Sequence, residues 1–490
     1  MNKEEKNTMK RIIASILLIV IMLTGAVATL TGCGGNGPAA EFVMPEGGYD
    51  GSEVTVTFYH EFGKERLAIL EAAISDFNAI YPDITIKAVK YDNYDVIRDK
   101  IKKEITVGGG PNLAICYADH VANYNISGAV QTLDVLMNST IETPAGEKIG
   151  YTEEQLADFI PAYFNEGKNF GDGLMYTLPI SKSTEVLYYN KTFFEKHNLT
   201  VPTTWEEMEA VCRQIKEIEP DSIPLGYDSE ANLFITLCEQ YASEGAAYTS
   251  ATGEHFLFDN DTNKQFMEMF RGWYQEKLMT TKELSGGYTS SLFTGEGENV
   301  TTRCYMCIGS TGGATYQQPG YTTDNETGEI VFDFEVGITA MPQYDAENPK
   351  VILQGPSVCI FKNNNPQVVL ASWLFAKFLT TDKIFQASIS MNNGYSPVIK
   401  SVDTLEAYTD FLNSASTENI QALAVKATLD QTETFYSSPA FFGSSDARDQ
   451  VGYLVMECLS SDLEGKTVKE KFDEIFATKV RACKTAIGQR

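Results

Sequence analysis

His60, His120, His197 and His255 are the only imidazoles in this 490-residue chain, so general acid–base and metal chemistry have few candidate groups. The stretch "HEFGK" from His60 lacks a second histidine four residues on, which a zinc-peptidase helix needs to bring two imidazoles to one face. No serine sits in a G-x-S-x-G turn, so a strained nucleophile elbow is absent. "VGGGPN" (107–112) follows a helical pattern and precedes a strand, the reverse of a phosphate-binding loop, and reads as helix termination. Cys304 and Cys307 form the one C-x-x-C, without a second pair at zinc-site spacing, and in a strand they would face opposite ways. Cys116, Cys212, Cys238, Cys359, Cys458 and Cys483 lie in apolar stretches and read as core thiols, with a disulfide left open. The pattern calls for no metal and no cofactor, and an enzyme is not expected. Carboxylates are abundant enough that a glycosidase pair is not excluded, since its separation is a spatial property.

The elements around these residues are legible. "EVTVTFYH" alternates as a strand, and "KERLAILEAAISDFNAIYP" places Leu67, Leu70, Ile74, Phe77 and Tyr81 at helical steps before Pro82. "DITIKAV", "YDVIRDKIKKEITVGGG" and "PNLAICYA" continue as strand, helix and strand, so a parallel α/β lobe is predicted. "YTLPISKSTEVLYYNKTFF" reads as a strand pair about small polar residues. A helix then opens at Thr203 or Thr204, capped reciprocally by Glu206 or Glu207. Further helices are expected over 263–278 and 366–390 and at the C-terminus. No internal repeat is found.

Lys10 and Arg11 precede an apolar run, Ile12 to Val27, whose length suits a signal-peptide core and is short for a membrane span of ~20 residues. Leu30-Thr31-Gly32-Cys33 resembles the bacterial lipobox, which implies cleavage before Cys33 and lipidation of its sulfur. Residues 1–32 are then a lipoprotein signal peptide, with Met9 an alternative start because Glu4 and Glu5 suit such a segment poorly. An ordinary transmembrane anchor is the other reading. Gly34 to Gly51 is Gly/Pro-rich, so 33–51 is expected to be a flexible tether. Without residues 1–32 the chain carries 34 Lys and Arg against 64 Asp and Glu. Such an acidic surface repels nucleic acid, and no basic run offers a phosphate footprint. About 440 residues exceed one comfortable core, so two lobes are expected.

Six segments occur in an order similar to that of the extracellular solute-binding proteins, the carbohydrate-type binding components of ABC importers. They include "LPISKSTEVLYYNKTFFEKHNLTVPTTWEEM" (178–208), "FEVGITAMPQYD" (334–345), "ILQGPSVCIF" (352–361), "ASWLFAKFLTTDKI" (371–384) and "NNGYSPV" (392–398), behind "GGGPNLAICYADHVANYNISGAVQTLD" (108–134). The resemblance implies a two-lobe, periplasmic-binding-protein-like α/β fold with a hinge and an interlobe ligand cleft. Lobe 1 is expected over 52–180 and 340–400, and lobe 2 over 181–339 and 401–490. It also implies a lipid-anchored monomer on the extracytoplasmic face of the bacterial plasma membrane, feeding a sugar or oligosaccharide to the transmembrane subunits of an ABC permease. Some members take glycerol 3-phosphate, so polyol phosphate is the alternative ligand. A sugar-sensing subunit and a surface glycosidase are the readings from other classes.

Carried over by position, the resemblance implies ligand contacts from Ser183, Ser310, Gly355 and Tyr395. Ser183 and Ser310 could instead cap or shape turns. Gly355 would let ligand approach the backbone, and Tyr395 would stack and hydrogen-bond. Arg448, in "FFGSSDARDQV", corresponds to a phosphate-gripping arginine, against a surface ion pair as the plainer reading. Tyr94 and His60 follow strands that open on the cleft. Asp119 stands one place out of register for a family carboxylate, and Phe234 stands where members carry tryptophan. With 25 tyrosines and three tryptophans in the chain, tyrosine is a candidate lining for the cleft, against the plainer reading that most tyrosines in a large protein are structural.

Overall fold

The computed structural model describes residues 41–295, 303–323 and 330–489; the expected signal peptide and Cys33 lie outside the described residues. The chain opens as the periodicities predict: β1 (Val54–His60), α1 (Lys64–Ile80), β2 (Ile84–Lys90), α2 (Tyr94–Ile105), β3 (Leu113–Cys116) and α3 (Ala118–Tyr124). It continues through β4 (Leu178–Pro179), β5 (Ser183–Asn190), α4 (Trp205–Ile218), β6 (Leu225–Tyr227), α5 (Glu230–Gln240), α6 (Asp261–Gln275), β7 (Met279–Thr281) and β8 (Met306–Ser310). After β9 (Val336–Ala340), β10 (Val351–Gln354) and β11 (Ser357–Ile360) come α7 (Pro366–Thr381) and α8 (Lys383–Asn393). The last elements are β12 (Phe435–Tyr436), α9 (Ser444–Ser460) and α10 (Val468–Ala486). Thr204 caps α4: its hydroxyl accepts from the Glu207 amide at 3.2 Å while the Glu207 carboxylate accepts from the Thr204 amide at 3.3 Å. The helix expected over 366–390 is two helices, because the Asp382 side chain caps a new start by accepting from the Phe385 amide at 2.7 Å.

Two sheets organise the chain into a mixed α/β, two-lobe fold. The first has strand order β2-β1-β3-β11-β4, with β1 parallel to β2 and β3 and with β11 antiparallel to β3 and β4. The second runs β12-β10-β5-β8-β6-β7, with β9 also antiparallel on β5. Each sheet has its own core. Phe58, Phe77, Trp373 and Phe375 fill the first, and Trp205, Phe234, Phe270, Trp273 and Phe476 the second. All eight described cysteines are free and buried. Among the described residues no helix is long and apolar enough to cross a membrane.

Four expectations are corrected. The strand pair read at 176–190 is two strands of different sheets, since β4 pairs β11 while β5 starts the second sheet. The second crossing, expected at 340, falls at 355–356, because β9 and β10 both hydrogen-bond to β5. The third falls later than 400, since Val402 and Tyr408 are buried in the first core. The tether expected to run to residue 51 also ends sooner. Phe42, Met44 and Tyr49 pack on the first core, and Gln367 binds the Asp50 amide at 3.1 Å and the Gly48 carbonyl at 3.0 Å.

Candidate ligand-binding cleft

Lys182 ties the crossings together. It stands between β4 and β5, is 0% exposed, and donates through Nζ to the Glu166 carboxylate, the Gly355 carbonyl (3.1 Å) and the Ser357 hydroxyl (3.0 Å). Ser357 Oγ donates to Glu166 at 3.1 Å, and the Lys182 backbone exchanges two hydrogen bonds with Ser396. A buried ammonium is tolerated only when its donors are met, and here three oxygens meet them. Gly355, at φ +94°, lets these segments approach: a Cβ there would lie 2.5 Å from the Ser181 carbonyl oxygen and 2.7 Å from Lys182 Cα. What the bare backbone of Gly355 admits is thus the chain itself, in place of the expected ligand. Beside it, Ser310 Oγ donates to Ser183 Oγ at 3.3 Å and accepts from the Gly312 amide at the same distance, so Ser310 caps a turn. Ser183 is buried, and the Tyr395 ring packs over Gly312, where a Cβ would meet it at 2.7 Å.

Between the lobes lies a cleft of about 470 Å³. Tyr94, Arg98, Tyr117, Asp119 and His120 face it from the N-terminal ends of α2 and α3, and Glu166 stands at the crossings. Tyr248, Tyr288, Ser437, Ser445, Arg448 and Asp449 face it from the second lobe. The lobes touch at its margins. Arg98 reaches Ser445 Oγ at 3.4 Å, and Asn169 donates to the Ser437 carbonyl at 2.8 Å while its own carbonyl accepts from the Ala440 amide at 2.8 Å.

The Tyr94 and Tyr117 rings meet edge to face at 4.8 Å, and Tyr117 meets His120 at 5.6 Å, a continuous aromatic wall. Burial holds both tyrosine hydroxyls protonated, well above their ordinary range, and holds His120 neutral by lowering its pKa. Burial likewise raises Asp449, against the opposing pull of Arg98. Arg98 is committed to Asp95 (2.9 Å) and Asp99 (3.0 Å). Arg448 donates to Asn232 Oδ1 and makes no ion pair among the described residues.

Of the expected contacts, Tyr94, Asp119 and Arg448 line the cleft, while Ser183, Ser310, Gly355 and Tyr395 gather at the crossings. His60 and Phe234 do not reach it. His60 is 1% exposed, between the Phe58 and Phe62 rings, with Nδ1 accepting from the Phe62 amide at 3.2 Å; burial lowers its pKa to about 4. Strand alternation explains it, because His60 shares a face with Val54, Val56 and Phe58. Phe234 packs against Phe258, Phe266 and Phe476 in the second core, and the next residue, Ile235, lines the cleft. Tyr117, Arg98 and Asp449 were missed, although each sits beside an expected residue or on the same turn of helix as one.

A family described as "Bacterial extracellular solute-binding protein" matches residues 72–415. The chain belongs to this family. Among relatives of this solute-binding protein, the sn-glycerol-3-phosphate-binding periplasmic protein UgpB of Brucella melitensis is 27% identical over 275 residues, 54% of this chain and 57% of that one. The UgpB of Rhizobium meliloti is 27% identical over 281 residues, 54% and 58% of the two chains. The chain therefore spans little more than half the length of these relatives. Two solved structures share the fold of this solute-binding protein. UgpB from Mycobacterium tuberculosis in complex with glycerophosphocholine has a TM-score of 0.67 at 16% identity, covering 89% of this chain and 99% of that one. The cyclic alpha-maltosyl-1,6-maltose binding protein of Arthrobacter globiformis has a TM-score of 0.65 at 17% identity, covering 89% and 100%.

Proposed function

We propose that the protein captures a sugar or oligosaccharide in the cleft between its lobes and delivers it to the membrane subunits of an ABC import permease. It does so from the extracytoplasmic face, held there as a monomer by lipid on Cys33, and without chemical turnover. The observation that carries the reading is the tyrosine wall opposite polar groups from the other lobe. Sugar rings present C–H faces to aromatic rings and hydroxyls to carboxylates, and hydrogen bonds to charged acceptors are the stronger ones. A free phosphate would meet Asp119 and Asp449 as like charges. A ligand touching both walls favours the closed arrangement by its extra contacts there, which gives a permease a shape to recognise. In this reading lobe 1 comprises residues 42–180 and 357–412, and lobe 2 the remainder of the described chain.

Polyol phosphate is the second reading, and Arg448 favours it, as a guanidinium at the cleft that ion-pairs with no carboxylate among the described residues. Calorimetric titration of the full chain, stripped of ligand by unfolding and refolding, with maltotriose and with glycerol 3-phosphate decides between them. Binding of maltotriose that survives Arg448→Ala supports the sugar reading. Binding of glycerol 3-phosphate that is lost in that variant replaces it. Release of product from maltotriose would overturn the non-enzymatic role.

A further inference from the structure

Behind the cleft wall a polar chain runs from the buried core out to Arg448 at the cleft. Glu185, on β5, is 1% exposed and does not line the cleft. Its Oε2 accepts from the Tyr227 hydroxyl at 2.6 Å and its Oε1 from Asn232 Nδ2 at 2.8 Å. With its NH₂ group turned toward Glu185, the acceptor Asn232 turns the other way is Oδ1, and Arg448 donates to it. The reversed amide would set oxygen against carboxylate and NH₂ against guanidinium, so the orientation is fixed at both ends. Carboxylate, amide and guanidinium thus run in line across β5, α5 and α9.

We infer that Glu185 and Asn232 are positioning residues for Arg448, fixing its guanidinium on the cleft wall and setting how much positive charge it shows to an acidic solute. The inference rests on the cleft being the solute site. A buried carboxylate needs a compensating charge, and Arg448 supplies it at one remove. Of the other groups facing Glu185, Asp228 opposes its ionisation, while Tyr227 and Tyr436 stay protonated. When Glu185 is ionised, part of the Arg448 charge is answered inside the protein. When it is protonated, the whole of that charge faces the cleft. Burial raises Glu185 to about 7, so the exchange falls near neutrality.

The test uses the full chain with glycerophosphocholine, whose phosphodiester keeps one negative charge across the range, and maltotriose as the neutral control. In the wild type, affinity for the phosphodiester rises about fivefold from pH 8 to pH 6, and affinity for maltotriose stays flat. Glu185→Gln, which removes the charge and keeps the shape, binds the phosphodiester equally at both pH values. A pH slope unchanged in Glu185→Gln overturns the charge-setting role. Crystal structures of the wild type and Asn232→Ala read the positioning without any ligand: Arg448 leaves its place in the variant, and an unmoved guanidinium overturns the inference. If neither probe binds while Arg448 is released, the proposed solute class has failed and the positioning role stands.

Discussion

Replacing Lys182 with methionine removes an ammonium that meets three oxygens and leaves a side chain of similar length in its place. Among the described residues the Glu166 carboxylate, 11% exposed, keeps the Ser357 hydroxyl alone, and the Gly355 carbonyl loses its side-chain donor. Removing one partner of a buried pair destabilises by about 3–5 kcal/mol. The orphaned carbonyl alone accounts for about 1–3 kcal/mol of such a loss, so the two figures overlap and about 4 kcal/mol is expected. For a lobe of roughly 200 residues each kcal/mol shifts Tm by about 2–4 °C, giving a fall of about 8–16 °C by scanning calorimetry. The decisive comparison is Glu166→Leu combined with Lys182→Met. With both charges gone no buried charge is left unpaired, although the Gly355 carbonyl still lacks its donor, so the double variant should recover at least about 2 kcal/mol of the summed single losses. A fall below about 1 kcal/mol in Lys182→Met, or strict additivity in the double variant, would refute the view that this pair pins the crossings.

Three further outcomes are expected. Gly355→Ala, at φ +94° with its new Cβ 2.5 Å from a carbonyl oxygen, should lose about 2–4 kcal/mol in a urea titration, and a neutral result would mean the segments part easily. Phe234→Ala should lose about 3–5 kcal/mol while leaving the order of preference between maltotriose and glycerophosphocholine unchanged; a reversed preference would place that ring in the cleft. Glu185, raised to about 7 from 4.5, holds a proton in the folded chain that the unfolded chain has released between those pH values. Stability should therefore fall by about 3 kcal/mol as pH rises from 4.5 to 7 and then level off, and Glu185→Gln should abolish that component when midpoints at pH 5 and pH 8 are compared.

The first lobe was legible because its strands and helices carry their periods openly, and the Thr204 cap because side chain and spacing agree. The sheet to which a strand belongs is not a local property. Nothing in "LPISKSTEVLYY" marks Lys182 as the point where one sheet ends and another begins, save a lysine among small and apolar neighbours. His60 was legible and misread: the alternation that identifies β1 already puts it on the core face. Phe234 and Ile235 differ by one step on α5, about 100° of rotation, and a helix buried on nearly every side gives no apolar stripe from which to choose. Tyr94, Asp119 and Arg448 were placed by the family resemblance, and each lies in or beside the first turns of a helix that borders the cleft. The Glu185 relay could not be placed, since its members lie 47 and 216 residues apart in sequence.

The position of β11 bears on the order in which the chain can assemble. It lies between β3 and β4, and Ser357 pairs with Cys116 across 241 residues. The first sheet therefore has a vacancy in its middle until residue 360 is available, even though four of its five strands are complete by residue 179. A chain emerging from its N-terminus must hold that gap open while the whole intervening stretch is made, with unpaired strand edges exposed meanwhile. Contacts so distant in sequence form slowly, so the sheet of the first lobe is completed late.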